Sequence, residues 1–349
     1  MIYYYKISDK MTNYTKLKYY NFLLIPLMLL ILIPAVSFGE TGRNSKANIG
    51  ILESLNKFGS TSYRSGMHKE AIQTFKQVIG IHRGYKAQYN LGCAYSKLDM
   101  HEDAIKSFKH SIKLRPDFAD AHYHLGLVYV NSDMFKDAIQ SFIQAVNLTP
   151  DNAEIHFNLG LAYSRLGMHE EEIESYNEAK RIDPEYIGIY NNLGVAYSKS
   201  GMYEEAIVSC RRAIEVNPDD VRVQTALGNA YASLGMYEEA IGPLKQAIKI
   251  SPDDVRVYKA LGNAYASLGM YEEAIDPLRL AININPDDAD GHETLGIIYH
   301  HLNYRGLALE QYKIVRILDR QLAKKLFNVI IKKNSMLEVD TANGQEQSE

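Results

Sequence analysis

The sequence predicts an all-α solenoid, and three observations lead to that prediction. The eight residues Leu234–Ile241 recur letter for letter as Leu268–Ile275, thirty-four positions later. Looser copies of the same phrase begin at Ser65, Leu98, Ser132, Leu166 and Ser200. Around each copy, apolar residues fall at helical spacing in two runs. A fixed period of this length is typical of a solenoid, in which each unit buries its apolar face against its neighbours.

Each unit is predicted to contain two helices joined by a tight turn, as residues 255–288 illustrate. Leu261 belongs to the apolar run of the first helix, and Gly269 breaks that run because glycine reaches backbone conformations that other residues resist. Gly262 is small, so we expect the two helices to approach closely at that place. Pro286 ends the second helix and starts the connection to the next unit.

The same residue types return at fixed places in every unit. Those places hold Leu227, Gly228, Tyr231, Ala240, Leu244, Ala247 and Pro252 in one unit, and Leu125, Gly126, Tyr129, Ala138, Phe142, Ala145 and Pro150 in another. This pattern resembles that of the tetratricopeptide repeat family. The resemblance implies a right-handed superhelical α-solenoid of helix-turn-helix repeats.

The predicted organisation is an N-terminal signal peptide or membrane anchor over 1–39, a linker over 40–51, eight repeats over 52–322, a capping helix over 323–333 and a disordered tail over 334–349. The repeats are assigned to 52–84, 85–118, 119–152, 153–186, 187–220, 221–254, 255–288 and 289–322. The first is shortened, which is common in terminal repeats because one of their faces meets water.

The N-terminal segment has two open interpretations. Residues 1–20 are rich in lysine, and the run from Phe22 to Val36 is apolar and uncharged, as in a signal peptide cleaved after Ser37-Phe38-Gly39. The same stretch approaches the ~20 apolar residues that span a bilayer, so residues 22–38 would alternatively be a retained tether. Translation starts at Met1 or at Met11. Both interpretations place the repeats outside the cytoplasm, in the periplasm, secreted or membrane-anchored.

Composition and motifs argue against an enzyme. A net charge of -4 gives no reason to expect nucleic acid as a partner. The two cysteines, Cys93 and Cys210, make no disulfide framework and are predicted to be small buried apolar residues. The chain has no phosphate-binding glycine loop and no hydrolase or zinc motif. Histidines at the same place of different repeats lie too far apart to share an ion. We therefore predict no catalytic residue, no cofactor and no metal.

The polar face of each first helix is the predicted binding surface. Asn90, Asn158 and Asn192 occupy the same place in their repeats, and His124 occupies that place in the repeat between those of Asn90 and Asn158. This looks like the asparagine ladder of some family members, in which amides hold the backbone of an extended peptide, since an amide both donates and accepts. The flanking residues of the predicted groove are Tyr89, Tyr123, Phe157 and Asn191.

Further along, the groove becomes basic and rich in amides. Its residues are Arg222, Asn229, Arg256, Lys259 and Asn263. Such a section suits a carboxylate or an acidic stretch. The pair of Lys259 and Asn263 resembles the first part of the family's carboxylate clamp, but no third basic pair follows, so a full clamp is not predicted. The alternative is that these are solvated polar residues on an exposed helix face.

Glu172 departs from the repeat, because the other repeats have alanine at its place. We expect its carboxylate to reach water and the repeat 153–186 to be splayed; the alternative is a carboxylate tuned for a site.

The predicted function is a non-catalytic interaction scaffold that binds a protein or peptide in the concave groove. One alternative is a self-assembling architectural protein, which would be a homo-oligomer. Another is the targeting subunit of an enzyme complex.

Overall fold

The computed structural model describes residues 46–330, and within them every regular element is a helix. The helices of residues 46–167 are α1 (Lys46–Arg64), α2 (His68–Ile81), α3 (Tyr85–Ser96), α4 (His101–Leu114), α5 (Ala119–Asn131), α6 (Phe135–Leu148) and α7 (Ala153–Arg165). Those that follow are α8 (His169–Ile182), α9 (Ile187–Lys199), α10 (Tyr203–Val216), α11 (Val221–Ser233), α12 (Tyr237–Ile250), α13 (Val255–Ser267), α14 (Tyr271–Ile284), α15 (Ala289–His301), α16 (Arg305–Leu318) and α17 (320–330). The all-α repeat fold is confirmed.

The chain divides into two compact units, Met1–Gly167 and Met168–Glu349. The division falls inside the predicted repeat 153–186, between its two helices. Periodicity alone gives no sign of it, because Leu166-Gly167-Met168 matches the turn of the other repeats.

In the first unit, consecutive helices pair within each repeat and each pair packs on the next. Phe75, Phe108 and Phe142 are buried at the centre of these pairs. Each phenylalanine ring lies against a glycine of the first helix, and a methyl group added at Gly126 would lie 2.5 Å from the Phe142 ring. The absence of a side chain at this glycine therefore sets the close approach of the two helices.

Three successive repeats of the second unit have smaller residues at this place. Cys210, Leu244 and Leu278 occupy the place of the phenylalanines and are fully buried. Burial raises the pKa of the Cys210 thiol to about 12, so this free cysteine is an inert part of the core. That agrees with the predicted role of Cys210 as a small buried apolar residue.

The turn between the two helices of a repeat depends on one residue with positive φ. Gly235 has φ 75°, and its N–H donates to the Ala232 carbonyl at 3.0 Å while that of Met236 donates to the Tyr231 carbonyl at 2.9 Å. These two bonds close the carbonyl end of α11 in a Schellman motif. Asp133 performs the same turn at φ 57°, a conformation that is strained for a residue with a side chain.

Exchanging the residue types at these turns is expected to change stability in opposite directions. Gly235→Ala should lower the free energy of unfolding by about 1–2 kcal/mol, because alanine resists positive φ. Asp133→Gly should raise the free energy of unfolding by up to about 1 kcal/mol. Glycine removes the strain of positive φ, and the larger entropy that it gives the unfolded chain offsets part of this gain. Urea denaturation of both variants measures this contrast. A Gly235→Ala variant as stable as the parent would contradict the turn conformation.

Two predicted boundaries are corrected. The linker was predicted to extend to residue 51, whereas α1 already begins at Lys46, because Ile51 and Leu52 pack against a small core around Leu55. The capping helix begins at 320 rather than 323, because the Asp319 carboxylate accepts hydrogen bonds from the N–H groups of Gln321 at 2.7 Å and Leu322 at 3.0 Å. The signal or anchor over 1–39 and the tail over 334–349 lie outside the described residues. Among the helices of 46–330, none has the length and apolar character needed to cross a membrane.

Glu172 does not reach water as predicted. Its side chain is buried, with 3% of the residue exposed, and its carboxylate lies 3.0 Å from Nδ1 of His169. The imidazole one turn earlier supplies a polar partner within α8, which lets the carboxylate remain at a place where other repeats have alanine.

Candidate functional site

Six of the predicted groove residues lie in the first unit, on one face of its first helices. They are Tyr89 and Asn90 on α3, Tyr123 and His124 on α5, and Phe157 and Asn158 on α7. All six side chains are partly exposed. The first helices of the unit contact one another in sequence order, so these pairs follow each other along a continuous surface.

Hydrogen bonds between neighbouring first helices use part of the predicted ladder. Asn158 donates from Nδ2 to the Tyr123 hydroxyl oxygen at 3.1 Å and to the Glu154 carbonyl of its own helix at 2.8 Å. Nδ1 of His124 lies 2.9 Å from the Asp120 carbonyl, which only accepts, so this nitrogen carries the hydrogen. The Tyr89 hydroxyl oxygen lies 3.3 Å from the same nitrogen. The donors of the second and third ladder residues are therefore engaged within the protein.

Asn90 differs from the other ladder residues. Within residues 46–330 its side chain makes no hydrogen bond, and it lines two adjoining cavities. The cavity of about 320 Å³ is lined by Ser60, Tyr63, Arg64, Phe75, Tyr89, Asn90, Cys93 and His124. The cavity of about 540 Å³ is lined by Leu52, Glu53, Asn56, Val78, His82, Gly84, Tyr85, Lys86, Ala87 and Asn90. The amide of Asn90 therefore keeps both its donors and its acceptor for a ligand.

We call the residues around the smaller cavity the Asn90 groove. Sequence analysis placed Tyr89, Asn90 and His124 in it but missed Tyr63 and Arg64 of α1. These come from the shortened first repeat, which has no tyrosine at the usual place. Aligning Gly59 with Gly92, both of which face a buried phenylalanine, would have brought α1 into register with α3.

Three titratable side chains of the Asn90 groove have raised pKa values and are therefore neutral near pH 7. Burial raises the pKa of the Cys93 thiol to about 12 and also raises the pKa values of the Tyr89 and Tyr63 hydroxyls. Cys93 is a free thiol at the groove wall, only partly buried, in contrast to the predicted buried position. Arg64 is exposed and makes no ion pair within residues 46–330. The groove can thus offer aromatic, amide and guanidinium contacts, whereas its thiol is a poor nucleophile.

The remaining amides lie in the second unit and are engaged differently. Asn192 donates from Nδ2 to the Gly188 carbonyl of its own helix at 3.0 Å. Asn191 donates to the Asp220 carboxylate at 3.2 Å, and its own Oδ1 is buried with no hydrogen-bond partner among the described residues. Asn229 and Asn263 are exposed.

The predicted basic section is neutralised by the chain itself. Arg222 pairs with Asp220 at 3.0 Å, and Arg256 makes two bonds to Asp254 at 3.0 and 2.9 Å. The hydrogen bond from Arg256 lowers the pKa of the Asp254 carboxyl, although burial opposes the shift. These aspartates immediately precede α11 and α13, where a carboxylate also caps the helix.

Lys259 is neutralised by the following repeat. Its Nζ lies 2.8 Å from the Asp288 carboxylate and 3.4 Å from that of Asp290. Each of the three cations thus has a carboxylate partner within the chain, and binding of an acidic ligand by this section stays a prediction.

His122, His156 and His292 occupy the same place in their repeats and have a structural role. Nε2 of His156 lies 2.9 Å from the Pro150 carbonyl six residues earlier, and the other two histidines make the equivalent bond at 2.9 and 3.0 Å. Gln224 and Tyr190 at the same place also bond the carbonyl of the preceding proline. These side chains therefore hold the connection between repeats. Within residues 46–330, no three histidine, cysteine, aspartate or glutamate side chains are grouped so as to hold a metal ion.

Solved structures with a similar fold include two that are described as tetratricopeptide repeat proteins. The crystal structure of YrrB, described as a tetratricopeptide repeat protein with an unusual peptide-binding site, is 23% identical over 53% of this chain and 96% of its own, with a TM-score of 0.50. A tetratricopeptide repeat protein from Parabacteroides merdae is 19% identical over 71% of this chain and 98% of its own, with a TM-score of 0.48. MamA is 30% identical over 45% of this chain and 92% of its own, with a TM-score of 0.44. Comparison with curated proteins returns no match.

A family model covers more than half of the chain. The tetratricopeptide model of the cilia and flagella-associated protein 70 C-terminal domain matches residues 78–297. Its matched region includes the repeats whose glycine-to-core contacts and turns are described above. The chain belongs to the tetratricopeptide repeat family.

Proposed function

We propose that this protein is a non-catalytic scaffold that binds an extended peptide segment of a partner protein in the Asn90 groove. The observation that carries the proposal is the Asn90 side chain, whose amide makes no hydrogen bond within residues 46–330 and faces two cavities. An amide that donates and accepts at once matches a peptide bond, whichever side chain follows.

The walls of the groove define the class of peptide. Tyr63 and Tyr89 present aromatic surface on two sides, which favours apolar or aromatic side chains in the ligand. Arg64 forms no ion pair with any residue of 46–330, so an acidic residue or carboxylate in the peptide would pair with its guanidinium group. The relative described as having a peptide-binding site shares the fold at 23% identity, so the argument for binding rests on these residues.

The test is selection of random phage-displayed peptides on the full-length chain, followed by measurement of Kd for the enriched peptides with purified variants. Asn90→Ala should weaken binding about tenfold, the effect of losing paired hydrogen bonds to a buried backbone group. The free energy of unfolding of this variant should change by less than about 0.5 kcal/mol, because the Asn90 side chain makes no hydrogen bond to the described part of the chain. Arg64→Gln should weaken peptides with an acidic residue and leave the others unchanged.

Asn131→Ala is the matched control, since Asn131 is an exposed asparagine on a first helix of the first unit and lines neither cavity. Its affinity for the selected peptides should equal that of the parent. Peptides that bind equally to the parent and to Asn90→Ala would overturn the proposal. Concentration-dependent mass in sedimentation, without peptide binding, would favour the self-assembling alternative.

We also propose that the scaffold acts outside the cytoplasm. Support comes from the lysine-rich start and the apolar run of residues 22–36, which lie outside the described residues. Sequencing the N-terminus of protein recovered from the source cells distinguishes the interpretations. A start near Glu40 means cleavage, and a start at Met1 or Met11 in the membrane fraction means a tether. A soluble cytoplasmic protein with the intact segment would contradict both.

A further inference from the structure

A cationic and aromatic groove lies between α16 and α17, the last two helices of the second unit. Its volume is about 870 Å³, and the residues that define it are Tyr312, Arg316, Ile317, Arg320, Lys324 and Phe327. The Tyr312 and Phe327 rings lie 5.6 Å apart and form its floor. We call it the terminal groove.

The apolar part of the terminal groove is open to solvent. Ile317 is 82% exposed and Phe327 is 44% exposed, although both are large apolar residues. On the other side of α17, Leu326 is fully buried near Gly296. Helix α17 is thus held by Leu326 on one face, while Phe327 of α17 and Ile317 of α16 are left exposed by residues 46–330.

The charges around the groove also have no partner in the part of the chain that is described. Arg316 lies over the Tyr312 ring at 6.0 Å, and neither Arg316, Arg320 nor Lys324 forms an ion pair there. The nearby carboxylate of Asp319 is occupied by two backbone N–H groups. Three positive charges beside exposed aromatic and aliphatic surface match a segment that carries both carboxylates and apolar side chains.

The chain itself carries such a segment. Residues 334–349 contain four acidic residues and no lysine or arginine, whereas residues 305–333 contain eight basic residues and two acidic ones. Within the acidic stretch, Met336, Leu337 and Val339 alternate with Glu338 and Asp340. The segment therefore offers the charge and the apolar side chains that the terminal groove lacks.

The length of the connection allows the segment to return to the groove. From residue 330 back to Arg320, α17 rises about 15 Å at about 1.5 Å per residue. An extended chain covers about 3.3 Å per residue, so about five residues after Ile330 span that distance. A short tether of this kind places the segment at an effective concentration of about millimolar.

We propose that residues 336–340 of the C-terminal segment dock in the terminal groove of the same chain, with Glu338 and Asp340 pairing with its cations. This contact replaces the disorder that composition alone predicts for 334–349, because the groove gives the apolar residues a surface to cover.

The test is zero-length carbodiimide cross-linking of the full-length chain, which joins a carboxylate to a lysine in direct contact, followed by mass spectrometry. We expect an amide bond between Lys324 and Glu338 or Asp340. The double variant R316Q/R320Q keeps the reactive Lys324 but loses two of the charges, so its cross-link yield should fall by about fivefold. Raising ionic strength to about 1 M, where the screening length is about 3 Å, should lower the parent's yield as well.

Several controls separate docking from proximity alone. Cross-links from the tail to Lys332 or Lys333 reflect sequence adjacency and should not respond to R316Q/R320Q. Both arginines are exposed, so thermal unfolding of the double variant should match the parent. A Lys324 cross-link that is equally abundant in R316Q/R320Q would overturn the proposal, as would its absence in the parent.

Mixing chains grown in light and heavy nitrogen identifies the origin of the segment. Cross-linked peptides of uniform isotope content show that the groove and the segment belong to one chain, as proposed. Mixed-isotope peptides would mean that a second copy supplies the segment and would overturn the intramolecular contact.

Discussion

Phe142→Ala should lower the free energy of unfolding of the first unit by about 3–5 kcal/mol, the usual cost of deleting a buried phenylalanine side chain. The Phe142 side chain is fully buried between α5 and α6, and its ring contacts the backbone at Gly126. Alanine at 142 leaves a cavity where the Phe142 ring lay. Gly126 has no side chain to fill it, so the two helices could close the cavity only by bringing their backbones into contact. The measurement is hydrogen exchange at increasing urea, because it resolves the two units separately.

The repeat architecture predicts where that loss is felt. Each repeat contacts its neighbours along the chain, so α5 and α6 should lose protection first and α4 and α7 should follow. Protection in α11 and α12 of the second unit should not change. Phe142→Leu is the graded control, since leucine occupies the same place at Leu244 and Leu278, and its cost should be smaller, on the order of 1–2 kcal/mol. Uniform loss across both units would contradict the local character of the core.

The helices were predictable because two independent signals mark the core of each repeat. Apolar residues recur at helical spacing, and small residues recur at fixed places. The bounds of α11 and α13 lie thirty-four residues apart, as the copied phrase requires. Helices α1 and α17 begin six and three residues before their predicted starts, because terminal repeats lose one neighbour and with it part of the sequence pattern. The division at Gly167 was missed because the turn there matches the others in sequence.

The candidate site was predictable only in its position. The place of Asn90 on the first helix follows from helical periodicity, but whether an amide is available depends on its neighbours. The Asn158 amide donates hydrogen bonds to the Tyr123 hydroxyl and the Glu154 carbonyl, whereas the Asn90 amide has no such partner in residues 46–330. Lys259 was predicted to be available for a ligand, yet Asp288 lies twenty-nine residues later and pairs with it. Contacts between side chains of neighbouring repeats, as well as contacts within one repeat, therefore decide which polar groups remain available for a ligand.

Gly228→Ala should destabilise the second unit although alanine is the better helix former. Helix propensity favours alanine by about 0.5–1 kcal/mol. The added methyl group would lie 2.5 Å from Cγ of Leu244 and 2.7 Å from its Cδ2, an overlap that forces the two helices apart. Overpacking of this kind costs about 1–3 kcal/mol, so the overlap outweighs the propensity. Urea denaturation should show a net loss of stability.

Gly242→Ala supplies the matched control, because Gly242 is also helical and exposed but has no atom within 4 Å of an added methyl group. Propensity then acts alone, and we expect a gain of about 0.5–1 kcal/mol. The opposite signs of the two glycine substitutions separate the helix contact from intrinsic preference. Loss of stability in Gly242→Ala would contradict this separation.

The double variant Gly228→Ala/Leu244→Ala tests the contact itself. Leu244→Ala removes the atoms that the new methyl group would overlap, and the nearest remaining neighbour, the Ala240 carbonyl oxygen, lies at 3.4 Å. The double variant should therefore be more stable than the sum of the single losses predicts. At Gly194 the same rescue should be weaker, since an added methyl group there would lie 3.2 Å from the backbone nitrogen of Cys210 as well as 2.5 Å from its sulfur. Removing the sulfur with Cys210→Ala leaves the backbone contact, so the approach of α9 to α10 is limited by main chain where that of α11 to α12 is limited by a side chain.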